Sequence, residues 1–232
     1  MNLHIAELLS GARDARGTAV IIDVFRAFSV ECYLFSRGAA RVVAVGAVET
    51  AYEWKRKMPD ALLVGERKGF PLPGFDCGNS PALLAKRDVA GKTVIHTTSA
   101  GTQGLAAASG AEEILAGSLA NAAAVAEYLR TRAPAEATLV AMGVNAVERA
   151  DEDLLCARYI ESILLGKPFS PEYLAEQTLA LKAGTGERFF HPEHQAEMPE
   201  EDFYLCTKTD IFPFVLRAEA VGDTFEMHRI DL

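Results

Sequence analysis

The chain has 232 residues, of which 50% are hydrophobic and 24% are charged. This composition is typical of a soluble globular protein and argues against collagen-like repeats, long disordered tracts and membrane spans. The 32 acidic and 23 basic side chains give a net charge of −9. Nucleic acids and anionic membranes need a cationic surface, so we expect neither as a partner.

The first residues, MNLHIAELLSGARDARG, lack the long apolar stretch of a signal peptide, so we expect a cytoplasmic protein. The four cysteines lie far apart and form no CxxC pair, which favours reduced thiols over a zinc or redox site. Whether the chain forms a homo-oligomer is left open.

Short apolar runs alternate with helical patterns over the first 143 residues. Strands are predicted at 18–24, 40–46, 62–66, 93–98, 112–117 and 138–143, and helices at 27–37, 48–58, 81–84, 101–109 and 121–132. Such alternation is typical of parallel strands joined by helical crossovers. The sequence therefore predicts an α/β fold, with a mostly parallel sheet covered by helices on both faces.

The remainder of the chain has a different pattern. Helices are predicted at 151–165 and 171–183, followed by the polar segment HPEHQAEMPEED. The last two apolar runs, VLRAEAV and TFEMHRI, flank Gly222 and Asp223, which favours an antiparallel hairpin. We therefore divide the chain into an α/β subdomain at 1–145 and a helical and hairpin subdomain at 146–232, which packs on the first.

Ligands of parallel α/β sheets bind where strands end and helices begin. The first such position holds Asp23 and Arg26, a carboxylate and a guanidinium three residues apart. Arginine suits bidentate binding of phosphate or sulfonate oxygens. A local ion pair that only orients the turn is the alternative.

The second position is a long loop that begins after the third predicted strand. It carries Glu66 and Asp76, hard oxygen ligands of the kind that Mg²⁺ accepts, and Arg67 and Lys68, which are suited to an anion. A flexible surface loop with solvated charges is the alternative, although its two prolines and two phenylalanines favour order.

The third position is the turn TTSAGT at 97–102, whose hydroxyls and backbone amides suit an oxyanion. Ordinary helix capping explains the same residues. The fourth is Glu152 and Asp153 at a helix start, where the helix dipole alone stabilises acidic side chains.

Several common mechanisms are excluded because their motifs are absent. The chain has no GxxxxGKS or GxxxxGKT phosphate loop, no GxGxxG after the first predicted strand and no GxSxG nucleophile turn. Asp23 is not followed by a second aspartate two residues later, as in the haloacid dehalogenase phosphatases, and no cysteine precedes an arginine by six residues, as in the cysteine phosphatases.

Five segments nonetheless resemble one family in order, spacing and residue type: IIDVFRAFSV, VGERKGFPLPGFDCGNSP, TVIHTTSAGTQGL, DEDLLCARYI and FYLCTKTD. This family is the 2-phosphosulfolactate phosphatases, and its GFDxGNSP element is quite specific. The resemblance covers nearly the whole chain. It implies Mg²⁺-dependent hydrolysis of (R)-2-phospho-3-sulfolactate to 3-sulfolactate and phosphate, with two α/β subdomains. In the family the product either leads towards coenzyme M or remains as sulfolactate, and the sequence does not choose between these two fates.

The resemblance also implies roles for individual residues. Catalysis is assigned to Asp23, Arg26, Glu66 and Asp76, and Mg²⁺ binding to Asp23, Glu66, Asp76 and Asp153. Substrate binding, by side chains and backbone, is assigned to Arg67, Lys68, Asn79, Ser80, Thr97, Thr98, Gly101 and Thr102. Direct attack by water is preferred over a covalent intermediate at Cys206 or Asp23.

Two departures from the family pattern bear on specificity. Phe28 and Ser29 stand where the family usually has threonines, and Ala100 replaces the usual asparagine. These changes favour, as an alternative, a phosphatase of another small phosphorylated hydroxy acid. A further alternative is an anion-binding domain that has the fold without turnover.

Overall fold

A computed structural model describes all 232 residues, and its ten strands form one sheet. The strands are β1 (Asn2–Glu7), β2 (Thr18–Ile22), β3 (Arg41–Val45), β4 (Leu62–Arg67), β5 (Phe70–Pro71), β6 (Thr93–Thr97), β7 (Glu113–Gly117), β8 (Glu136–Ala141), β9 (Phe214–Val221) and β10 (Thr224–Asp231). Their order across the sheet is β1-β8-β2-β7-β9-β10-β3-β6-β4-β5. The predicted α/β class and the mostly parallel sheet are confirmed.

Nine α-helices accompany the sheet. They are α1 (Leu8–Asp14), α2 (Ala27–Ser36), α3 (Val48–Lys57), α4 (Pro81–Leu84), α5 (Gly101–Ala107), α6 (Ala122–Arg132), α7 (Asp151–Leu164), α8 (Pro171–Ala180) and α9 (Glu200–Cys206). The longest, α7, has 14 residues. No helix has the length and apolar character that crossing a membrane requires.

The C-terminal hairpin lies in the middle of the sheet and joins two parallel blocks. In one block β1, β8, β2 and β7 are parallel, and in the other β3, β6 and β4 are parallel. The hairpin strands β9 and β10 pair antiparallel with each other, with β7 and with β3. The predicted hairpin is confirmed, with Gly222 in its turn at φ +65°. The division of the chain near residue 145 stays a prediction.

The two blocks share one apolar face. Ala19 and Ile21 of β2 belong to the same buried cluster as Val42 of β3 and Val94 of β6, and Phe28 of α2 packs within that cluster. The alternate β2 residues belong to a second cluster with α6 and α7. Since side chains alternate along a strand, both faces of β2 are covered, which explains its continuous apolar sequence.

The sheet is strongly curved. β2 and β4 are six strand spacings apart in the sheet order, which would separate them by about 29 Å in a flat sheet. Yet residues that follow β2 and residues at the end of β4 line one pocket. The curvature therefore brings the carboxyl ends of both parallel blocks to a common cleft.

Four elements were not predicted from the sequence, namely β1, α1, β5 and α9. The edge strand β1 is only half buried and pairs on one side with β8, so its apolar signal is weak. The polar segment after residue 191 contains the start of α9, a short helix with three acidic residues in its first turn.

Candidate active site

A polar cleft with an empty volume of about 500 Å³ lies at the common end of the two parallel blocks. Its walls come from the ends of β2, β4, β6 and β8 and from the segment 184–198. The lining residues are Asp23, Phe25, Arg26, Glu66, Lys68, Gly69, Asn79, Ser99, Ala100, Gly143, Val144, Asn145, Arg188 and Met198. This size suits a small metabolite.

Asp23 and Glu66 are the two carboxylates in the cleft wall, and both are buried. Asp23 Oδ1 accepts a hydrogen bond from the Ala27 backbone N–H at 3.1 Å. Glu66 accepts three hydrogen bonds, from Ser99 N at 2.7 Å, Ser99 Oγ at 3.0 Å and Gly69 N at 2.6 Å. These contacts fix both carboxylates at the cleft, as the strand-end positions predicted.

The pKa of Asp23 is raised from 3.8 to about 6. Burial is the main cause because it disfavours the charged form, and the neighbouring Glu66 charge adds to the rise. The Ala27 N–H and the Arg188 guanidinium oppose it. Asp23 is therefore mostly ionised at pH 7 and is protonated in mild acid.

This shift predicts a pH dependence of stability in EDTA. Between pH 4 and 6 the folded protein binds more protons at Asp23 than the unfolded chain, so the contribution of Asp23 to the free energy of unfolding falls as pH rises. The contribution is at most about 3 kcal/mol. Urea denaturation across this range should show a shallower decline for Asp23→Asn than for wild type. Exposed Asp60 supplies the control Asp60→Asn, and identical slopes for wild type and Asp23→Asn would contradict the prediction.

Asp153 lies next to the cleft and braces its backbone. Its Oδ1 accepts from Val24 N and its Oδ2 from Gly143 N, each at 2.8 Å. It thereby ties the start of α7 to the chain just after β2 and β8. Burial raises its pKa well above 3.8, with further contributions from Glu152 and Asp23. Both oxygens of this predicted metal ligand are thus engaged by backbone amides.

Asp76 is not brought into the cleft. Its Oδ2 accepts from Leu63 N at 2.8 Å and from Lys55 Nζ at 3.3 Å, and it lines a separate depression beside β4. The structure therefore separates Asp76 from Asp23 and Glu66, with which the sequence analysis grouped it.

The two carboxylates in the cleft would suit Mg²⁺ that takes its other ligands from water and substrate, and they would not by themselves form a closed metal site. No group of three or more His, Cys, Asp or Glu side chains in the protein is arranged to hold a metal ion. In phosphate-handling sites Mg²⁺ is commonly held by one or two carboxylates together with water and the substrate's phosphate. Asp23 and Glu66 provide two such carboxylates.

Arg26 reaches the cleft, but its charge is already paired. Its Nη1 donates to Asp202 Oδ2 at 2.7 Å and to the Glu197 carbonyl at 2.9 Å, and its Nη2 donates to the Gly69 carbonyl at 3.0 Å. The Arg26 and Asp202 side chains are 3% and 0% exposed. Arg26 is therefore in an ion pair, but its partner is the distant Asp202 of α9 and not Asp23, so this is not the local pair considered from the sequence.

Ser80 belongs to the same buried network. Its Oγ donates to Asp202 Oδ1 at 2.8 Å and accepts from Leu83 N at 3.1 Å, which caps α4. Ser80 thus links α4 to α9 and does not line the cleft.

Arg67 and Thr97 bind each other behind the cleft wall. Arg67 Nη2 donates to Thr97 Oγ1 at 2.9 Å and to the Gly46 carbonyl at 2.8 Å. Burial is the main cause of a lowered Arg67 pKa. Neither residue lines the cleft.

Thr98 and Thr102 cap each other across the turn before α5. Thr98 N donates to Thr102 Oγ1 at 3.0 Å, and Thr102 N donates to Thr98 Oγ1 at 3.1 Å. Helix capping, the alternative to oxyanion binding considered from the sequence, therefore describes Thr98 and Thr102. Their neighbours Ser99 and Ala100 face the cleft.

Gly101 allows a close approach between this turn and the end of β2. A Cβ atom there would lie 2.8 Å from Ala27 Cβ and 3.0 Å from Asp23 Oδ2. A larger side chain would therefore push Asp23 away from its position.

Two cations in the cleft wall have no carboxylate within ion-pair distance, namely Lys68 and Arg188. Arg188 Nη2 donates to the Phe25 carbonyl at 3.0 Å, and its buried Nε has no hydrogen-bond partner. The guanidinium also packs 5.2 Å from the centre of the Phe189 ring. Arg188 was not predicted because its segment carries no recognisable motif.

The departures noted in the sequence occupy different environments. Phe28 is fully buried in the shared core, and Ser29 Oγ donates to the Val24 carbonyl at 2.8 Å. Only Ala100 faces the cleft. Cys206 is fully buried outside the cleft and burial raises its pKa, so it is unsuited to act as a nucleophile.

Comparison with known proteins gives a consistent result. A family model described as 2-phosphosulpholactate phosphatase matches residues 3–220. A probable 2-phosphosulfolactate phosphatase of Bacillus subtilis is 28% identical over 211 residues, covering 91% of each chain. Proteins of the same description from Thermotoga maritima and Clostridium acetobutylicum are 33% and 34% identical. These matches cover 85% of this chain and 87% and 88% of the relatives.

Proposed function

The chain belongs to the 2-phosphosulfolactate phosphatase family, and we propose that it hydrolyses (R)-2-phospho-3-sulfolactate to 3-sulfolactate and phosphate with the help of Mg²⁺. One observation carries the proposal: two buried carboxylates, Asp23 and Glu66, face the same small cleft as the unpaired cations Lys68 and Arg188. A phosphate monoester with two further acidic groups requires both kinds of charge.

The carboxylates would hold Mg²⁺, which when bound neutralises charge on the phosphate. Glu66 is anchored by Ser99 and Gly69, and Asp23 is anchored by Ala27. Their positions therefore exist before substrate arrives. Phosphoryl transfer depends mainly on such positioning and on charge stabilisation.

The cations account for binding of the anionic substrate despite the protein's negative net charge. Lys68 and Arg188 are free of carboxylate partners, so their charge is available to the phosphate, sulfonate and carboxylate groups. Three of the five N–H groups of Arg26 donate to Asp202, Glu197 and Gly69. The other two are available to donate to the substrate.

Water is the proposed nucleophile. It attacks phosphorus as the ester P–O bond breaks, and its two protons end on the released phosphate and on the hydroxyl of sulfolactate. The buried position of Cys206 argues against a cysteine intermediate. Of the two side chains considered for a covalent intermediate, Asp23 is the one that lines the cleft.

A phosphatase of another phosphorylated hydroxy acid is the second candidate, and Ala100 favours it. This residue lines the cleft where the family pattern usually has asparagine. An alanine offers no hydrogen bond to a sulfonate, so discrimination in favour of the sulfonated substrate would be weaker.

The test compares phosphate release from phosphosulfolactate and from phospholactate, each with Mg²⁺ and with EDTA. We expect metal-dependent turnover of the sulfonated ester, and a preference for it that is about tenfold greater in Ala100→Asn, since one added hydrogen bond to a charged group contributes about 1.5 kcal/mol. The matched control is Ala106→Asn at an exposed position of the same helix. Turnover of phospholactate alone would favour the second candidate, and turnover of neither would refute both.

A further inference from the structure

A buried polar triad runs from the core to the cleft wall, and the reaction steps described above give it no role. It consists of Glu31 from α2, His96 from β6 and Asn79 just before α4, whose exposures are 0%, 0% and 3%. His96 Nδ1 lies 2.8 Å from Glu31 Oε1, and His96 Nε2 lies 3.0 Å from Asn79 Oδ1. Burying such groups costs free energy unless they are well paired.

The pairing is incomplete at one end. Glu31 Oε2 is buried and has no hydrogen-bond partner. An apolar side chain at this position would avoid that cost. Stability alone therefore does not explain why these polar groups are buried here. The contact between His96 and Asn79, at the other end of the triad, indicates their role.

The hydrogen positions follow from the partners. The amide oxygen Oδ1 of Asn79 can only accept, so the facing Nε2 of His96 must carry a hydrogen. A second hydrogen is shared between His96 Nδ1 and Glu31 Oε1. His96, held by Glu31, thus presents its Nε2–H to Asn79. This donor determines the orientation of the Asn79 amide, with its oxygen towards His96.

The amide nitrogen of Asn79 consequently faces the cleft. Asn79 lines the cleft, and its Oδ1 is turned away towards His96. Its Nδ2 has no partner within the protein and is not among the buried unpartnered atoms. Two N–H groups are therefore open to whatever occupies the cleft.

We propose that His96 and Glu31 are positioning residues that turn the Asn79 amide nitrogen into the cleft, where it donates a hydrogen bond to an anionic oxygen of the ligand. In the hydrolysis reaction this ligand is the phosphorylated substrate, and this identification of the ligand rests on the proposed function. The hydrogen bond itself applies to any phosphate that enters the cleft.

The first test measures the Kd for inorganic phosphate by calorimetry, in the presence of Mg²⁺, with kcat and KM measured in parallel. Asn79→Ala should weaken phosphate binding about 10- to 100-fold, as expected for loss of a hydrogen bond to a charged group. Asn79→Asp should weaken it further, because it places a carboxylate against the anion. Unchanged or tighter binding by Asn79→Asp would mean that the oxygen faces the cleft, and would overturn the proposal.

The positioning role is tested at His96 and Glu31. His96→Phe should weaken phosphate binding in the same direction as Asn79→Ala, whereas Glu31→Gln should stay close to wild type. A glutamine amide can still donate to Nδ1 and leave the hydrogen on Nε2, so it rescues the arrangement that Glu31→Leu would lose. Equal effects of Gln and Leu at position 31 would contradict positioning through His96.

A measurement on the unmodified protein avoids any failure of the variants to fold. Nitrogen-15 NMR of histidine-labelled protein should show a hydrogen on Nε2 of His96, with His96→Phe used only for assignment. A bare Nε2 would require the Asn79 amide to be turned around and would overturn the proposal. Neither the NMR measurement nor the phosphate Kd requires turnover. They therefore test the orientation of Asn79 separately from the proposed hydrolysis, which phosphate release tests.

Discussion

Replacing Asp23 by asparagine should lower kcat/KM for phosphate release about 10³-fold, within the range observed when a catalytic acid or base is removed. Asparagine cannot carry the negative charge that Asp23 has at pH 7, so it loses both the electrostatic hold on Mg²⁺ and the proton-accepting ability of the carboxylate. Its amide oxygen can still accept the Ala27 N–H bond that Asp23 Oδ1 accepts, so the local fold is expected to survive.

The activity loss is interpretable only beside a folded control. Asp60→Asn removes one negative charge at an exposed position and should keep wild-type activity. Circular dichroism checks that Asp23→Asn is folded. A loss of less than about tenfold would contradict the role of Asp23 in the cleft.

Breaking the buried Arg26–Asp202 pair should have the largest effect on stability. Asp202→Ala leaves the Arg26 guanidinium without its carboxylate and also removes the acceptor of Ser80 Oγ and Ala82 N. Removing one partner of a buried ion pair typically costs about 3–5 kcal/mol. Urea denaturation measures this cost as a reduced free energy of unfolding.

A double-mutant cycle tests whether the cost belongs to the pair. Arg26→Met combined with Asp202→Ala should be less destabilising than the sum of the single changes, because no charge is left unpaired. Strictly additive costs would show that the two side chains do not stabilise each other. This stability role also makes Arg26→Ala a poor test of anion binding, since loss of activity would follow from unfolding as well.

The fold could be predicted largely from local patterns. The apolar run before Asp23 is buried on both faces of the sheet, and alternation of strands with helices indicated parallel pairing. The Gly222 turn predicted that β9 and β10 pair, but a hairpin pattern does not specify which other strands lie beside it. Its central position, and hence the curvature that brings Asp23 and Glu66 together, depends on long-range packing.

The candidate site was also predicted only in part, because local patterns indicate strand ends but not long-range contacts. Strand ends indicated Asp23 and Glu66, which the structure places in one cleft. The same rule could not show that the oxygens of Asp153 are used by the Val24 and Gly143 amides. Nor could it identify Arg188 or Asp202, because their segments carry no motif and reach the site only through tertiary contacts.

The most direct test of the central claim is phosphate release from (R)-2-phospho-3-sulfolactate by wild type and Asp23→Asn, each with Mg²⁺ and with EDTA. We expect rapid turnover by wild type with Mg²⁺, a kcat/KM about 10³-fold lower for Asp23→Asn, and no turnover in EDTA. Absence of turnover by wild type, or equal turnover by Asp23→Asn, would contradict the claim that this cleft is the active site of a phosphosulfolactate phosphatase.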